Sequence, residues 1–166
     1  MNTGQTILAV GAIFLMSFTI INVHRALTVN EGVLHQTRFG LEAVSLVTSI
    51  IEEASQLPFD EVSWDSTTLS KDVDDLTRHW LLGPESGETD YATFDDFDDF
   101  NGYTFSDTTL QNIYNISCDV FYISPDHPNL KEHNRTLYKR ITVTVTSPST
   151  ADTLSMSYIH GYWYFN

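Results

Sequence analysis

The stretch that decides the fold reads Ile7-Leu-Ala-Val-Gly-Ala-Ile-Phe-Leu-Met-Ser-Phe-Thr-Ile-Ile-Asn-Val23, and it carries no charged side chain. The first charged residue of the chain is Arg25, and the first proline is Pro58. Because proline breaks helices more strongly than any other residue, its absence allows one continuous helix over residues 3–57. At 1.5 Å per residue that helix would be roughly 80 Å long, more than a small domain is wide. We therefore expect its apolar first part, residues 1–25, to lie outside the globular body.

The apolar run is about 17 residues long, close to the shortest helix that crosses a bilayer, and it fits a membrane anchor. A cleaved signal peptide is an alternative, but residues 1–6 carry no positive charge and no clean small-residue cleavage site follows. A third interpretation is a helix that begins in the membrane and is later buried among copies of itself.

Beyond Arg25 the pattern becomes amphipathic. Apolar residues recur at steps of three and four, and Ala43, Ile50 and Leu57 widen the stripe that is formed by Leu41, Val44, Val47, Ile51 and Ala54. We expect residues 26–57 to form a helix with one face on a core. Pro58 ends that helix, because the residue before a proline avoids the α region.

The C-terminal third predicts a sheet. Ile141, Val143 and Val145 alternate with threonines, which is typical of a half-buried strand, and similar alternation occurs over 111–124 and 153–164. We therefore predict an antiparallel sheet of about three strands in residues 111–166. The expected class is α+β: a globular domain of residues 26–166, with the helix packed on the sheet and a long acidic loop region, residues 58–110, between them.

The predicted loop region holds most of the 22 acidic residues, and its sharpest motif is Phe94-Asp-Asp-Phe-Asp-Asp-Phe-Asn-Gly-Tyr103. One interpretation is a Ca²⁺ site built from hard oxygen ligands. Its candidate ligands are Asp95, Asp96, Asp98, Asp99 and Asn101. In the other interpretation the phenylalanines fill a core groove and the aspartates form a solvated face. The motif is not an EF-hand loop, since no glutamate stands at the twelfth position.

The remaining composition excludes several classes of function. A net charge of −14 would repel nucleic acid. The single cysteine, Cys118, excludes an internal disulfide and a cysteine-based zinc site. We find no glycine-rich phosphate loop, no nucleophile elbow and no zinc-protease motif, and the six histidines never cluster at metal spacing. We therefore expect no catalytic residues and no cofactor other than Ca²⁺.

An uncharged N-terminal helix that continues into an amphipathic one and stops at Pro58-Phe-Asp-Glu61 resembles the type IV pilin-like superfamily, which includes pilins, minor pilins and pseudopilins. The resemblance covers residues 1–61. Gly4-Gln5 is the candidate processing junction, and Ala9 stands where the family usually has glutamate.

The resemblance implies a subunit that is stored in the inner membrane and then assembled, as a homo-oligomer, into a helical filament at the cell surface. The implied assembly interface is the apolar helix, with the residues Ile7, Leu8, Val10, Gly11, Ile13, Phe14, Leu15, Phe18, Ile20 and Ile21. Two alternatives stay open. One is a monomeric membrane-anchored domain that binds Ca²⁺ or another cationic partner, and the other is a minor pilin or pseudopilin that primes a filament.

Overall fold

The computed structural model describes residues 2–64, 73–88, 91–108, 112–148 and 150–162 of the chain. It is an α+β structure, which confirms the predicted class. Two helices precede five strands: α1 Thr3–Gln56, α2 Glu61–Trp64, β1 Thr104–Thr108, β2 Ile113–Ser124, β3 His127–Glu132, β4 Tyr138–Ser147 and β5 Thr150–Gly161. Three short 3-10 turns, Val73–Asp75, Tyr91–Thr93 and Asp98–Phe100, lie in the segment between α2 and β1.

The chain divides into two compact units, Met1–Gly40 and Leu41–Asn166. The predicted domain boundary between residues 25 and 26 was placed at the end of the apolar run, and it stays a prediction. Parts of the predicted acidic loop region (65–72, 89–90 and 109–110) and of the predicted sheet (111, 149 and 163–166) lie outside the described residues.

In the second unit, the C-terminal part of α1 packs on the sheet through Ala43, Val47, Ile50 and Ala54, which are all buried. The predicted stripe began at Leu41 and Val44, but these two side chains are exposed. All four buried residues belong to the predicted stripe, so the buried face is its part that contains Ala43 and Ile50, turned slightly around the helix axis from Leu41 and Val44.

The sheet has five strands instead of about three, and all neighbouring strands are antiparallel. Strands β2, β4 and β5 are the predicted ones, in the order β1-β2-β4-β5, and β3 also pairs with β2. β1 lies within the segment that was predicted as loop. The strand has only five residues around half-buried Phe105, and this alternation is too short to recognise in the sequence. β3 contains Pro128, which an edge strand tolerates because its outward backbone positions need no hydrogen bond.

The register places apolar residues on one face of the sheet and hydroxyl groups on the other. Cys118 pairs with Val143, which pairs with Met156, so all three lie on one face of the sheet, where Cys118 and Val143 are buried. On the opposite face, the hydroxyls of Thr142 and Ser157 lie 3.0 Å apart. This is the usual division of an antiparallel sheet with one buried face and one solvated face.

Replacing Ile141 with alanine tests the position of this core. Ile141 is 0 % exposed, so Ile141→Ala should lower the free energy of unfolding by about 2–5 kcal/mol, through lost burial and a residual cavity. Ile159 on the neighbouring strand is 44 % exposed, so Ile159→Ala should change it by about 0.5 kcal/mol or less. Urea unfolding of the detergent-solubilised chain, followed by tryptophan fluorescence, measures both values. Equal losses in the two variants would contradict the assignment of the buried face.

Candidate functional site

The N-terminal apolar run of α1 is entirely exposed within the chain. Every described residue from 2 to 38 is exposed, and the large apolar side chains among the predicted assembly residues are 50 to 75 % accessible. These residues surround the helix instead of forming one stripe. A helix that is apolar on all sides is stable only against lipid or against other protein.

The few hydroxyl groups in this run are satisfied by the helix itself. Ser17 donates to the carbonyl of Ile13 at 2.9 Å, and Thr19 donates to the carbonyl of Leu15 at 2.8 Å. Such back-bonding leaves no hydroxyl that requires water, as a hydrocarbon environment demands. The long apolar helix is therefore compatible with membrane anchoring, and a signal sequence or a helix buried in an assembly would share these features.

The second candidate site is the acidic motif of residues 94–103. Phe94, Phe97 and Phe100 are buried, as the groove-filling interpretation expected. Phe94 packs edge-on against Phe100 and against Tyr103, with ring centroids 5.1 and 5.0 Å apart. These rings hold the motif against the body of the unit and so fix where its carboxylates point.

The aspartates of the motif are not a solvated face. Asp96, Asp98 and Asp99 are 2 %, 1 % and 0 % exposed, and only Asp95 is exposed. Burying ionised carboxylates is costly unless each is paired or hydrogen-bonded. The surroundings of each one therefore decide what the site can do.

Lys139 on β4 compensates part of this buried negative charge. Its side chain is fully buried, and Nζ donates to Asp60 Oδ2 at 2.9 Å, to the carbonyl oxygen of Phe59 at 2.6 Å and to Asp98 Oδ1. The ammonium also lies 4.5 Å from the ring centroid of Phe59 and 5.5 Å from that of Tyr122. Lys139 thus joins a strand, the segment after α1 and the acidic motif.

Asp60 is the better satisfied of the two carboxylates. Besides Lys139, it accepts hydrogen bonds from the backbone N–H and the hydroxyl of Thr77, at 3.0 and 3.1 Å. The hydroxyl of Tyr122 donates to the carbonyl of Thr77 at 2.8 Å and closes this network. Asp60 is therefore the more completely hydrogen-bonded partner of the buried ammonium.

The backbone of the acidic motif uses some of its own carboxylates. Asp99 Oδ2 accepts the N–H groups of Asp95 and Asp96 at 2.9 and 3.0 Å, and Asp96 Oδ1 accepts the N–H of Asp98 at 2.7 Å. The second oxygen of each of these carboxylates accepts none of these hydrogen bonds. In the part of the chain that is described, the buried atoms Asp96 Oδ2, Asp98 Oδ2 and Asp99 Oδ1 have no hydrogen-bond partner.

Desolvation changes the protonation of this region. Burial raises the pKa of Asp96 to about 9, and the charge of Asp98 adds to the rise while Lys139 opposes it. Burial also raises the pKa of Asp98 more than Lys139 lowers it. Partial desolvation raises the pKa of Glu85 to about 8, and its hydrogen bond with Glu88 adds to the rise. Excess negative charge is therefore partly neutralised by protons when no cation is present.

The predicted calcium ligands consequently lie in different environments. Asp95 is exposed, and Asp98 is paired with Lys139. The amide of Asn101 is already engaged: Nδ2 donates to the carbonyl of Leu82 at 2.9 Å, and Oδ1 accepts the N–H of Val120 at 3.0 Å. Asp99 instead lies near two glutamates that the sequence did not single out, Glu85 and Glu88.

Lys139 is not among the predicted site residues, although the sequence contains a signal for it. Lys139 precedes Ile141, Val143 and Val145 at steps of two, so the alternation that predicted strand β4 places its side chain on the buried face. A lysine at a core-facing position needs an acidic partner. Which of the many aspartates supplies that partner depends on contacts between distant segments.

With this geometry established, we compared the chain with protein-family models, curated proteins and solved structures. No family model, no curated protein and no solved structure matches it. The function of the chain is therefore inferred from its residues and their arrangement.

Replacing Lys139 with methionine tests the buried ion pairs. Lys139→Met keeps most of the side-chain volume but leaves Asp60 and Asp98 without their cation, so we expect a loss of about 3–5 kcal/mol in the free energy of unfolding. Lys131 is the matched control, because it pairs with Asp119 at 2.8 Å while both side chains are at least 50 % exposed. Lys131→Met should cost less than about 1 kcal/mol. Urea unfolding measures both variants, and a small loss for Lys139→Met would contradict the central role of this ammonium.

Proposed function

We propose that this chain is a structural subunit of a pilus-like filament at the cell surface, held together by the N-terminal helices of neighbouring copies. The observation that carries the proposal is the complete exposure of an apolar run, residues 7–23, on a helix whose later part belongs to a folded α+β unit. Apolar surface of this extent requires a covering, and other copies of the same helix supply one.

The same helix anchors the chain in the inner membrane before assembly. Lipid tails and apolar side chains are similar environments, so assembly exchanges lipid contacts for protein contacts. Small residues favour that exchange because they let helix backbones approach closely. At Gly11 an added Cβ would meet nothing within 4 Å, so this side of the helix is open to a neighbouring helix. Gly4 and Ala12 extend the small-residue surface.

A minor pilin or pseudopilin would use the same helix but would prime the filament instead of forming its bulk. The copy number of the chain relative to the other filament proteins distinguishes the two roles. Quantitative mass spectrometry of isolated filaments measures that ratio.

A second candidate function is a monomeric membrane-anchored domain that binds a cation. The carboxylate oxygens of Glu85, Glu88 and Asp99, which lie within 4.8 Å of one another, favour it. This candidate predicts single copies in the membrane and no filaments.

Two substitutions in the apolar run separate assembly from anchoring. Leu15→Asp places a charge within the apolar helix, at a cost of about 2.5–3.5 kcal/mol, and should reduce both membrane insertion and filament formation. Gly11→Leu keeps the helix apolar, so the chain should stay in the membrane fraction, but the larger side chain should reduce filament yield about tenfold or more by blocking close helix packing. Membrane fractionation, together with electron microscopy of material sheared from cells, measures both effects.

The matched control is Leu130→Asp, which introduces the same charge at a leucine of β3 that is 61 % exposed. Filament yield and membrane fraction should equal those of the wild type. Normal filaments from both helix variants would refute packing through the apolar run. Wild-type protein that occurs only as separate copies in the membrane would favour the anchored domain instead.

A further inference from the structure

The acidic segment brings together three carboxylates from two different turns. One carboxylate oxygen from each of Glu85, Glu88 and Asp99 lies within 4.8 Å of the other two. Glu85 is exposed, Glu88 is half-buried and Asp99 is completely buried, so the group runs from solvent into the core. Three carboxylates at this distance cannot all stay ionised unless something positive lies between them.

A second observation points to a ligand at this position. Asp99 is 0 % exposed, and its Oδ2 accepts two backbone N–H groups. Its Oδ1 is buried and has no hydrogen-bond partner among the described residues. A buried carboxylate oxygen without a partner is destabilising, and such an atom in a native structure calls for an explanation such as a bound ion or water.

The charges of the neighbourhood do not supply that partner. Lys139 makes its ion pairs with Asp60 and Asp98. Among the described residues, no ion pair reaches Glu85, Glu88 or Asp99. The described side chains therefore supply no cation that pairs with this group.

The two turns are already held at a short distance from each other. Asn101 donates to the carbonyl of Leu82 at 2.9 Å, immediately before the turn that carries Glu85. An added Cβ on Gly83 would lie 3.3 Å from the carbonyl oxygen of Asn101, so the backbones approach closely there. A ligand that links Glu85 and Glu88 to Asp99 would strengthen an existing contact instead of creating one.

We propose that Glu85, Glu88 and Asp99 form a binding site for a divalent cation, and that the cation is Ca²⁺. Calcium binds carboxylate oxygens at about 2.4 Å, so one ion can reach three oxygens that lie within 4.8 Å of one another. Calcium takes six to eight ligands in flexible geometry, and the solvent side of Glu85 leaves room for water to complete them. Magnesium demands a tighter octahedral arrangement and keeps more of its own water.

The bound ion would stabilise the segment between α2 and β1. It would cross-link the turn at 85–88 to the 3-10 turn at Asp98–Phe100, which also carries the Asp98 partner of Lys139. Calcium should therefore raise the thermal stability of the second unit. This site is separate from the apolar helix, so it does not depend on filament assembly.

The test is a titration of the full-length, detergent-solubilised chain, stripped with EDTA, with CaCl₂ at physiological salt. We expect saturable binding of about one ion per chain by calorimetry and a rise in the unfolding temperature. Glu85→Gln with Glu88→Gln should weaken binding about tenfold or more, because two charged ligands are lost. Both residues lie toward solvent, so this double variant should still fold.

The matched control is Glu52→Gln with Asp126→Asn, which removes the same charge at two exposed positions away from the group. Its affinity for Ca²⁺ should stay close to that of the wild type. The absence of saturable binding to the wild type, or equal losses in the two double variants, would overturn the site. Equal affinity for MgCl₂ would overturn the assignment to calcium. Filament formation by the Leu15→Asp and Gly11→Leu variants is measured separately, so failure of one proposal is distinguishable from failure of the other.

Discussion

The ammonium group of Lys139 connects the parts of the globular unit that the chain places far apart. It pairs with Asp60 just after α1 and with Asp98 in the acidic motif, while its own backbone lies in β4. An ammonium in this position has lost its water, so each carboxylate must be close and correctly oriented. Few arrangements of the chain satisfy that requirement. The buried charge therefore restricts the conformation of the long segment between helix and sheet, whose described residues form only α2 and three 3-10 turns before β1.

The aromatic residues and the aspartates of the acidic motif have complementary effects. Phe94, Phe97 and Phe100 bury apolar surface and hold the motif in place. Asp96, Asp98 and Asp99 are buried together with the rings, whereas Asp95, which also lies between two of the phenylalanines, stays exposed. Lys139 satisfies Asp98, and backbone N–H groups satisfy part of the others. The remaining negative charge near Asp99 is what makes this region a candidate cation site instead of an ordinary polar turn.

The two units of the chain meet different physical requirements. The unit Leu41–Asn166 buries an apolar core between its own helix and sheet. The unit Met1–Gly40 exposes an apolar helix and has no core of its own among the described residues. Its stability in a cell therefore depends on lipid or on neighbouring chains, which is why the proposed function concerns assembly. A cation site in the second unit would add stability that does not depend on the apolar helix.

Much of the fold follows from the sequence alone, because local patterns determine it. The proline-free run predicts a long helix, and the alternation of Ile141, Val143 and Val145 with threonines predicts a buried strand. The α+β class follows from these elements. The sequence could not reveal the short strands β1 and β3, because each of them depends on pairing with β2. It also could not reveal that Lys139 meets Asp60 and Asp98, or that Asp99 meets Glu85 and Glu88. Periodicity depends on neighbours along the chain, whereas ion pairs and cation ligands depend on which distant segments the folded core brings together, and only the tertiary structure decides that.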